Sequence, residues 1–346
     1  MALPRMRPIS LKSERVDMSH GAGGRSMAQL IHQLFAKHLG NPYLAQGDDG
    51  ARMPRLDGPL VMATDAHVVS PLFFPGGDIG SLAVHGTVND VAVMGARPRY
   101  LAAAFVLEEG FPLADLARIV ESMAAAAREA GVAVVTGDTK VVEAGKGDGV
   151  FITTTGVGEL IDGVQVSGAH AQPGDAVLVS GPIGDHGMAI MAVREDLGLD
   201  TPIVSDSAAL HGLIADLLAA VPEVHVLRDP TRGGLSATLN EISHQSEVGI
   251  VLNEAAIPVR REVAAACELL GLDPLDIACE GRVIVICPGA RAEAALSALR
   301  GHPLGAQAAV IGEVIEDERG FVQMATSFGG RRMVDWLAGE SLPRIC

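Results

Sequence analysis

Apolar runs alternate with amphipathic segments through the N-terminal half of this chain. The runs PLVMAT, LAAAFVL, VAVVTGDTK and GVFITTTGVGEL predict strands, and the segments IGSLAVHGTVNDVAVMGA and 112–130 predict helices between them. An earlier amphipathic pattern, from Met27 to Leu39, predicts a helix that ends at Gly40 and has Ser26 as its N-cap. Because strands and helices alternate, we expect an α/β domain that ends near residue 165.

A second α/β unit follows the turn-rich segment SGAHAQPGD. Its predicted strands lie in the runs AVLVSG, EVHVLRDPTRGGL, VGIVLNE, RVIVICPG and AAVIGEVIE. The chain is longer than a single hydrophobic core usually sustains, which also favours two domains. We therefore expect two unequal α/β lobes.

The C-terminal block differs in character from both lobes. Met333, Trp336 and Leu337 recur at helical spacing and predict a short docked helix, and a following glycine and proline discourage further regular structure. The residues from 339 onward form an arm of roughly 25 Å when extended, and that arm ends in Cys346. The pattern divides the chain into segments 1–45, 46–165, 166–328 and 329–346.

Composition narrows the function classes. Lysine and arginine total 26 and the acids 42, so the net charge is −16, which argues against nucleic acid or an anionic membrane as partner. The same excess leaves carboxylates available for divalent cations. No apolar stretch has the length that a bilayer requires, and the basic N-terminus lacks the apolar core of a signal peptide. We expect a soluble, cytoplasmic protein.

The four cysteines fall into two kinds. Cys267, Cys279 and Cys287 lie in apolar surroundings without a C-x-x-C pair and are predicted to be buried thiols in a reducing compartment. Cys346 is the last residue of the chain, and an exposed thiol is open to oxidation and exchange. It is either incidental, because chain ends tolerate change, or functional.

Aspartates recur after predicted strands and beside glycine. Oxygen ligands at such positions commonly bind a phosphate-bound Mg²⁺, although aspartate is also an ordinary turn residue. Each position taken singly favours a turn, whereas the whole set favours a metal and nucleotide site. The set comprises Asp48, Asp49, Asp65, Asp90, Asp138 and Asp229.

Two further side chains suggest acid–base or phosphate chemistry. Lys140 shares one face of a predicted strand with Asp138, so it either contacts phosphate, acts as a base or forms a surface salt bridge. Glu280 directly precedes an apolar strand and is either a general base or the partner of Arg282.

The glycine-rich stretch HGAGG precedes a predicted helix, where backbone N–H groups favour phosphate; it holds Gly21, Gly23 and Gly24. Neither a G-x-x-x-x-G-K-[ST] loop nor a strand-linked G-x-G-x-x-G is present, so ATP, if bound, is held by neither common loop. The eleven histidines show no H-E-x-x-H, which disfavours zinc.

Eight stretches of the chain, read in order, resemble the HypE family of hydrogenase maturation factors. They are HGAGGRSMAQLI, GDDGA, TDAHVVSPLFFPGGDIGSLAVHGTVNDVAVMGARPRYLA, VVTGDTKVV, GDHGMAIM, RDPTRGGL, ACEGR and PRIC. This family lies within the aminoimidazole-ribonucleotide-synthetase-like (PurM-like) ATP enzymes. The resemblance implies an α/β (α+β) PurM-like two-domain fold, with an ATP-binding domain at 46–165 and a C-terminal α/β sandwich at 166–328. It further implies a homodimer whose N-terminal sheets form a shared β-barrel, and a flexible tail at 329–346.

The resemblance also implies site residues. ATP and Mg²⁺ are held by residues matching Gly21, Gly23, Gly24, Asp48, Asp49, Asp65, Asn89, Asp90, Asp138, Thr139 and Asp229, with the six aspartates as Mg²⁺ ligands. Dehydration is assigned to Lys140 and Glu280, and the substrate is carried on Cys346. The implied partners are the carbamoyltransferase HypF, which loads a carbamoyl group on the thiol, and the HypC–HypD complex, whose iron receives cyanide.

Chemistry supports the use of ATP in such a reaction. Converting a thiocarbamate to a thiocyanate expels the amide oxygen, and phosphorylation replaces hydroxide by phosphate as the leaving group. The difference of about ten pKa units is on the order of 13 kcal/mol if fully expressed. The competing functions are another PurM-like synthetase or kinase, of the selenophosphate or thiamine-phosphate type, and a non-enzymatic thiol carrier.

Overall fold

The computed structural model describes residues 9–11, 14–198, 203–317, 319–336 and 344–346. Helices in these ranges are α1 (Arg25–Leu30), α2 (Ala36–Leu39), α3 (Ile79–Val93), α4 (Leu113–Glu129), α5 (Asp185–Arg194), α6 (His211–Ala220), α7 (Gly234–Ser246), α8 (Arg261–Leu270) and α9 (Ala292–Gly301). Strands are β1 (Leu60–His67), β2 (Phe73–Phe74), β3 (Gly77–Asp78), β4 (Ala96–Glu108), β5 (Ala133–Val142), β6 (Val150–Leu160), β7 (Asp175–Val179), β8 (Val226–Arg228), β9 (Gly249–Asn253), β10 (Ile284–Pro288), β11 (Ala309–Ile315), β12 (Val322–Ala325) and β13 (Arg331–Met333). None of these helices combines the length and apolarity needed to cross a bilayer.

The N-terminal half is built on a four-stranded sheet in the order β1-β6-β4-β5. β6 is antiparallel to both neighbours, and β4 is parallel to β5. Helices α3 and α4 pack on one face, and α3 is buried on nearly all sides because it also contacts α6 of the C-terminal half. Along β1, Leu60 and Met62 point away from that core and are 63% and 73% exposed.

The C-terminal half is a seven-stranded sheet in the order β13-β12-β9-β11-β7-β10-β8. Most neighbours are antiparallel, and β12 runs parallel to β9. Residues of α6 and α9 form one apolar core with the sheet, and residues of α7 form another on the opposite face. The two predicted α/β lobes are confirmed.

An extended segment, residues 203–210, crosses between the halves, and we call it the strap. Asn89 on α3 fastens this strap, because its amide oxygen accepts from the N–H of Leu210 and its amide nitrogen donates to the carbonyl oxygens of Ala208 and Glu280. One α3 side chain therefore joins the strap to the segment before β10.

Two local predictions are wrong. The first helix begins at Arg25 with Gly24 as N-cap, so Ser26 lies inside the first turn, and residues Ile31–Phe35 form a π-helical turn. Met333 ends a strand and not a helix, because a turn over residues 326–330 folds β13 back onto β12. Leu337 and the predicted tail residues 337–343 lie outside the described residues. The helix predicted over 112–130 is confirmed as α4, with Pro112 as N-cap.

Candidate functional site

The C-terminal residues 344–346 lie along the chain that continues β1. The N–H of Val68 donates to a backbone oxygen of Cys346 at 3.0 Å, and the N–H of Ser70 donates to the carbonyl of Arg344 at 3.1 Å. These bonds flank an antiparallel bridge between Val69 and Ile345, and the Ile345 side chain is buried. Residues 344–346 are therefore docked against residues 68–70 through one antiparallel bridge.

Side chains of α5 secure the backbone of this docked segment. His186 lies 2.6 Å from the carbonyl oxygen of Ile345, and Arg194 donates to the carbonyl oxygen of Arg344 at 2.9 Å. Arg344 itself forms an ion pair with Asp148. Contacts to carbonyl groups fix the path of the main chain whatever group the terminal thiol carries.

Four acids from separate elements meet beyond the end of the docked segment, and we call them the inner acidic cluster. Cys346 is opposite Val68, so Asp65 is three residues further along β1, or about 10 Å. Buried His67 lies between them, with its Nε2 3.3 Å from Asp65 Oδ2. The cluster consists of Asp65, Asp90, Asp229 and Glu280.

Burial and mutual repulsion perturb this cluster. Burial, followed by the charges of Asp229 and Asp65, raises the pKa of Asp90 to about 7. Burial raises the pKa of Asp229 to about 6, and it raises the pKa of Glu280 well above its usual value, with the neighbouring acids adding to the rise. Arg232 lies 3.5 Å from Asp65. The negative charge of the cluster is thus only partly balanced.

The donor set fits a magnesium-bound phosphate. Within the described ranges, no three His, Cys, Asp or Glu side chains already stand in a metal-coordinating arrangement. A phosphate-bound Mg²⁺ needs only one or two carboxylates, because phosphate and water supply its other ligands. Raised pKa values among neighbouring acids, and a Glu280 Oε1 with no hydrogen-bond partner in the described structure, are features that a bound cation would relieve, so these residues fit such a group.

Three of the remaining predicted residues line a second region, the outer groove, between the α1–α2 segment and strands β4 to β6. This groove has a volume of about 830 Å³, and Asp48, Asp49 and Asp138 are among its lining residues. Asp138 accepts from Lys140 Nζ at 2.8 Å, and this hydrogen bond lowers the pKa of Asp138. The N–H of Thr139 also donates to Asp138. The salt bridge predicted as an alternative for Lys140 is therefore present.

The glycine-rich loop lies beside the same strand. A Cβ at Gly21 would be 2.8 Å from the backbone nitrogen of Val141, so only glycine lets the loop approach β5 this closely. Gly23 has a φ of +75° and Gly24 caps α1. The structure thus places the HGAGG and GDTK stretches side by side.

Two predicted roles look different in three dimensions. The alternative pairing of Glu280 with Arg282 is wrong, because Arg282 is bound to Asp185 at 3.2 Å and Asp206 at 3.5 Å. The amide of Asn89 is engaged by the strap, so its part in nucleotide binding stays a prediction.

Sequence reasoning missed the residues that hold the docked segment and the strap, namely His186, Arg194 and Asp206. The available signal was a histidine at the start of an apolar helix in GDHGMAIM, because a buried imidazole needs polar partners.

Known proteins resemble this chain over nearly its full length. Residues 47–160 and 172–325 match the N-terminal and C-terminal domains of AIR synthase related proteins. The carbamoyl dehydratase HypE of Cupriavidus necator is 68% identical over 341 residues, which is 98% of this chain and 97% of the relative. A crystal structure of the hydrogenase maturation protein HypE in complex with ATP has a TM-score of 0.92 and 52% identity, covering 95% of this chain and 99% of that one.

A HypE chain from a crystal structure of a HypE–HypF complex matches with a TM-score of 0.79 and 50% identity, over 89% of this chain and 99% of that one. These likenesses extend across both lobes, and they confirm the resemblance predicted from the sequence motifs. The chain therefore belongs to the HypE family of hydrogenase maturation proteins, within the AIR synthase related proteins.

Proposed function

We propose that this chain is a cytoplasmic enzyme that uses ATP to dehydrate a carbamoyl group carried on Cys346. The product is a thiocyanate, from which cyanide passes to the iron of a nickel–iron hydrogenase. The observation that carries this proposal is the docking of residues 344–346 on the end of β1, beside the inner acidic cluster. The relatives named carbamoyl dehydratase support it, being up to 68% identical over nearly the full chain.

The atoms balance if ATP removes the oxygen. The carbonyl oxygen of the thiocarbamate takes the γ-phosphoryl group, one N–H proton leaves, and an imidate phosphate forms. Cleavage of the C–O bond then releases phosphate as the second N–H proton leaves, which completes the C≡N bond. The products are thiocyanate, ADP and phosphate, and both protons need an acceptor.

We assign proton acceptance to the ionised form of Glu280, because a carboxylate whose pKa is raised is a stronger base once it is ionised. This side chain belongs to the inner acidic cluster, and its Oε1 has no hydrogen-bond partner among the described residues. Lys140 lies on β5, three strand spacings from β1, or about 14 Å within one chain. Lys140 already pairs with Asp138, which lines the outer groove. We therefore assign Lys140 to balancing the negative charge of the phosphate groups.

Asp65, Asp90 and Asp229 of the inner acidic cluster are the residues that would hold Mg²⁺, and the acids of the outer groove and the glycine loop would face the nucleotide. Magnesium, when bound, supplies positive charge that stabilises the transferring phosphoryl group. The reactive carbon must be kept from water at this stage, because water would otherwise hydrolyse the phosphorylated intermediate.

The bare part of the N-terminal sheet supports a homodimer. Leu60 and Met62 expose most of their apolar surface on the side of β1 away from α3, and pairing with a second copy would bury them in a shared barrel. The solved HypE–HypF complex supports a HypF-like carbamoyltransferase as the donor partner, and the HypC–HypD complex is the proposed iron carrier.

Intact-mass measurement of the C-terminal peptide tests this function. The full chain is incubated with carbamoyl donor, carbamoyltransferase and ATP, and we expect carbamoylation of Cys346 followed by ATP-dependent loss of one water. Cys346→Ala should accept no carbamoyl group, and Glu280→Gln should stop at the carbamoylated peptide. Loss of water without ATP, or carbamoylation of the Cys346→Ala chain, would overturn the proposal.

A further inference from the structure

His186 is the point at which the docked C-terminal segment meets the strap. Its Nε2 is 2.6 Å from the carbonyl oxygen of Ile345, and its Nδ1 is 2.8 Å from Oγ of Ser205. A carbonyl oxygen only accepts, so Nε2 carries the proton, and Nδ1 of the neutral ring accepts from the Ser205 hydroxyl. The ring is fully buried and edge-on to Phe74 at 5.5 Å, which fixes its orientation.

Residues of the strap link His186 to the backbone of Glu280. Oγ of Ser205 accepts from the N–H of Ser207 at 3.1 Å, so the hydroxyl has both a donor and an acceptor partner. Between these serines, Asp206 Oδ1 accepts from the N–H of Glu280 at 3.1 Å. A Cβ at Gly281 would lie 1.7 Å from the Asp206 carbonyl oxygen, so the two backbones are in direct contact.

We propose that His186 is a positioning residue that holds the docked C-terminal segment and, through Ser205 and Asp206, keeps Glu280 in register with it. When the segment leaves, the buried Nε2–H loses its acceptor, which is unfavourable in an apolar site. The His186 ring and Ser205 then need new hydrogen-bond partners. The strap that they support also accepts a hydrogen bond from the backbone of Glu280 through Asp206. That His186 holds the segment stands on geometry alone, and that it keeps Glu280 in register with the segment rests on the proposed function.

The first test measures access to the terminal thiol in the full-length chain. Cys267, Cys279 and Cys287 are buried, so alkylation by iodoacetamide in native buffer, read from the mass of the C-terminal peptide, reports on Cys346. His186→Phe keeps an aromatic ring without hydrogen-bonding groups, and we expect alkylation about tenfold faster, equivalent to about 1.4 kcal/mol in the docking equilibrium. His186→Gln keeps an amide donor near the Nε2 position and should restore most of the protection.

His85→Ala is the matched control. His85 is a partly buried imidazole on α3 whose Nδ1 is 2.9 Å from Oγ of Ser207, so it supports the same strap two residues from the His186 contact. We expect its alkylation rate to stay within twofold of the unaltered chain. An equal increase for His85→Ala and His186→Phe, or no increase for His186→Phe, would overturn the role of His186 in holding the segment.

The second test separates docking from chemistry. Carbamoylation needs an undocked segment and dehydration needs a docked one, so His186→Phe should be carbamoylated at least as fast and dehydrated about tenfold more slowly. Ser205→Ala should leave alkylation within about twofold but slow dehydration, because it interrupts the path to Glu280. A parallel fall in both steps would indicate general damage and refute the positioning role.

The two proposals fail in different ways. If the unaltered chain shows no dehydration, the proposed function fails, while the alkylation comparison still decides whether His186 holds the segment. If His186→Phe does not fold, His186→Gln and Ser205→Ala decide instead: dehydration by Ser205→Ala at the unaltered rate would exclude the coupling to Glu280.

Discussion

Replacing Asp90 by asparagine should stabilise the apo protein, and the gain should depend on pH. Burial and repulsion from Asp229 and Asp65 raise the pKa of Asp90 from 3.8 to about 7. Between these two values the folded chain keeps a proton that the unfolded chain releases, so the free energy of unfolding falls as pH rises. Below pH 3.8 this penalty is absent, and above pH 7 it is fully present.

The size of the penalty follows from the shift. A rise of about 3 units at 1.36 kcal/mol per unit corresponds to about 4 kcal/mol. Because Asp90 shares its repulsion with other acids, we expect Asp90→Asn to recover about 2 to 4 kcal/mol above pH 7. Unfolding entropies of about 2.1 cal/mol/K per residue make 1 kcal/mol worth about 1.4 °C in a chain of 346 residues. The expected gain in Tm is therefore about 3 to 6 °C.

Calorimetry or thermal circular dichroism at pH 4 and pH 7.5 measures this gain. Asp90→Asn should match the unaltered chain at pH 4 and exceed it at pH 7.5, whereas Asp162→Asn, at an exposed aspartate, should change neither value. Magnesium and ATP together should narrow the difference, because a bound cation relieves the repulsion only where the carboxylate remains. A lower Tm for Asp90→Asn at both pH values would refute the repulsion argument.

Three further predictions concern other parts of the molecule. Lys140→Ala should lower Tm by less than about 2 °C, because the Lys140–Asp138 pair is more than half exposed, yet slow ATP-dependent water loss at least about 100-fold in the mass assay. Met62→Glu should convert the proposed dimer to monomer in analytical ultracentrifugation, and Met53→Glu, exposed on the preceding loop, should not. Gly281→Ala should lower the free energy of unfolding by about 3 kcal/mol or more in denaturant titration, since its Cβ would clash with the strap, whereas Gly301→Ala meets open space and should not.

Local patterns predicted the regular elements well where one face of a segment is buried. Helix α4 has a clear apolar stripe and a proline N-cap, and both signals lie within its own residues. Strand β13 was mistaken for a helix because Met333 and Trp336 happen to have helical spacing. The hairpin turn that pairs β13 with β12 depends on contacts with another strand, which periodicity does not contain.

The site shows the same division. Motifs identified the acids, the lysine and the terminal thiol, yet they placed all the acids in one group. The structure separates them, because β1, α3 and the segments before α7 and β10 meet at the inner acidic cluster, while the loop at 47–50 and β5 meet at the outer groove. Which acids repel one another depends on how the sheets pack, and residues 65 and 280 meet only after both halves have folded.

The sequence by itself determined the family, the two α/β lobes and the chemical groups available, because these depend on residue types and on spacings along the chain. Only the tertiary structure decided that residues 344–346 dock on β1, that His186 and the strap join them to Glu280, and that Arg282 pairs with aspartates. The hydrogen bond between His186 and Ile345 joins groups 159 positions apart, and its existence depends on burial and on distance in space, which no local pattern records.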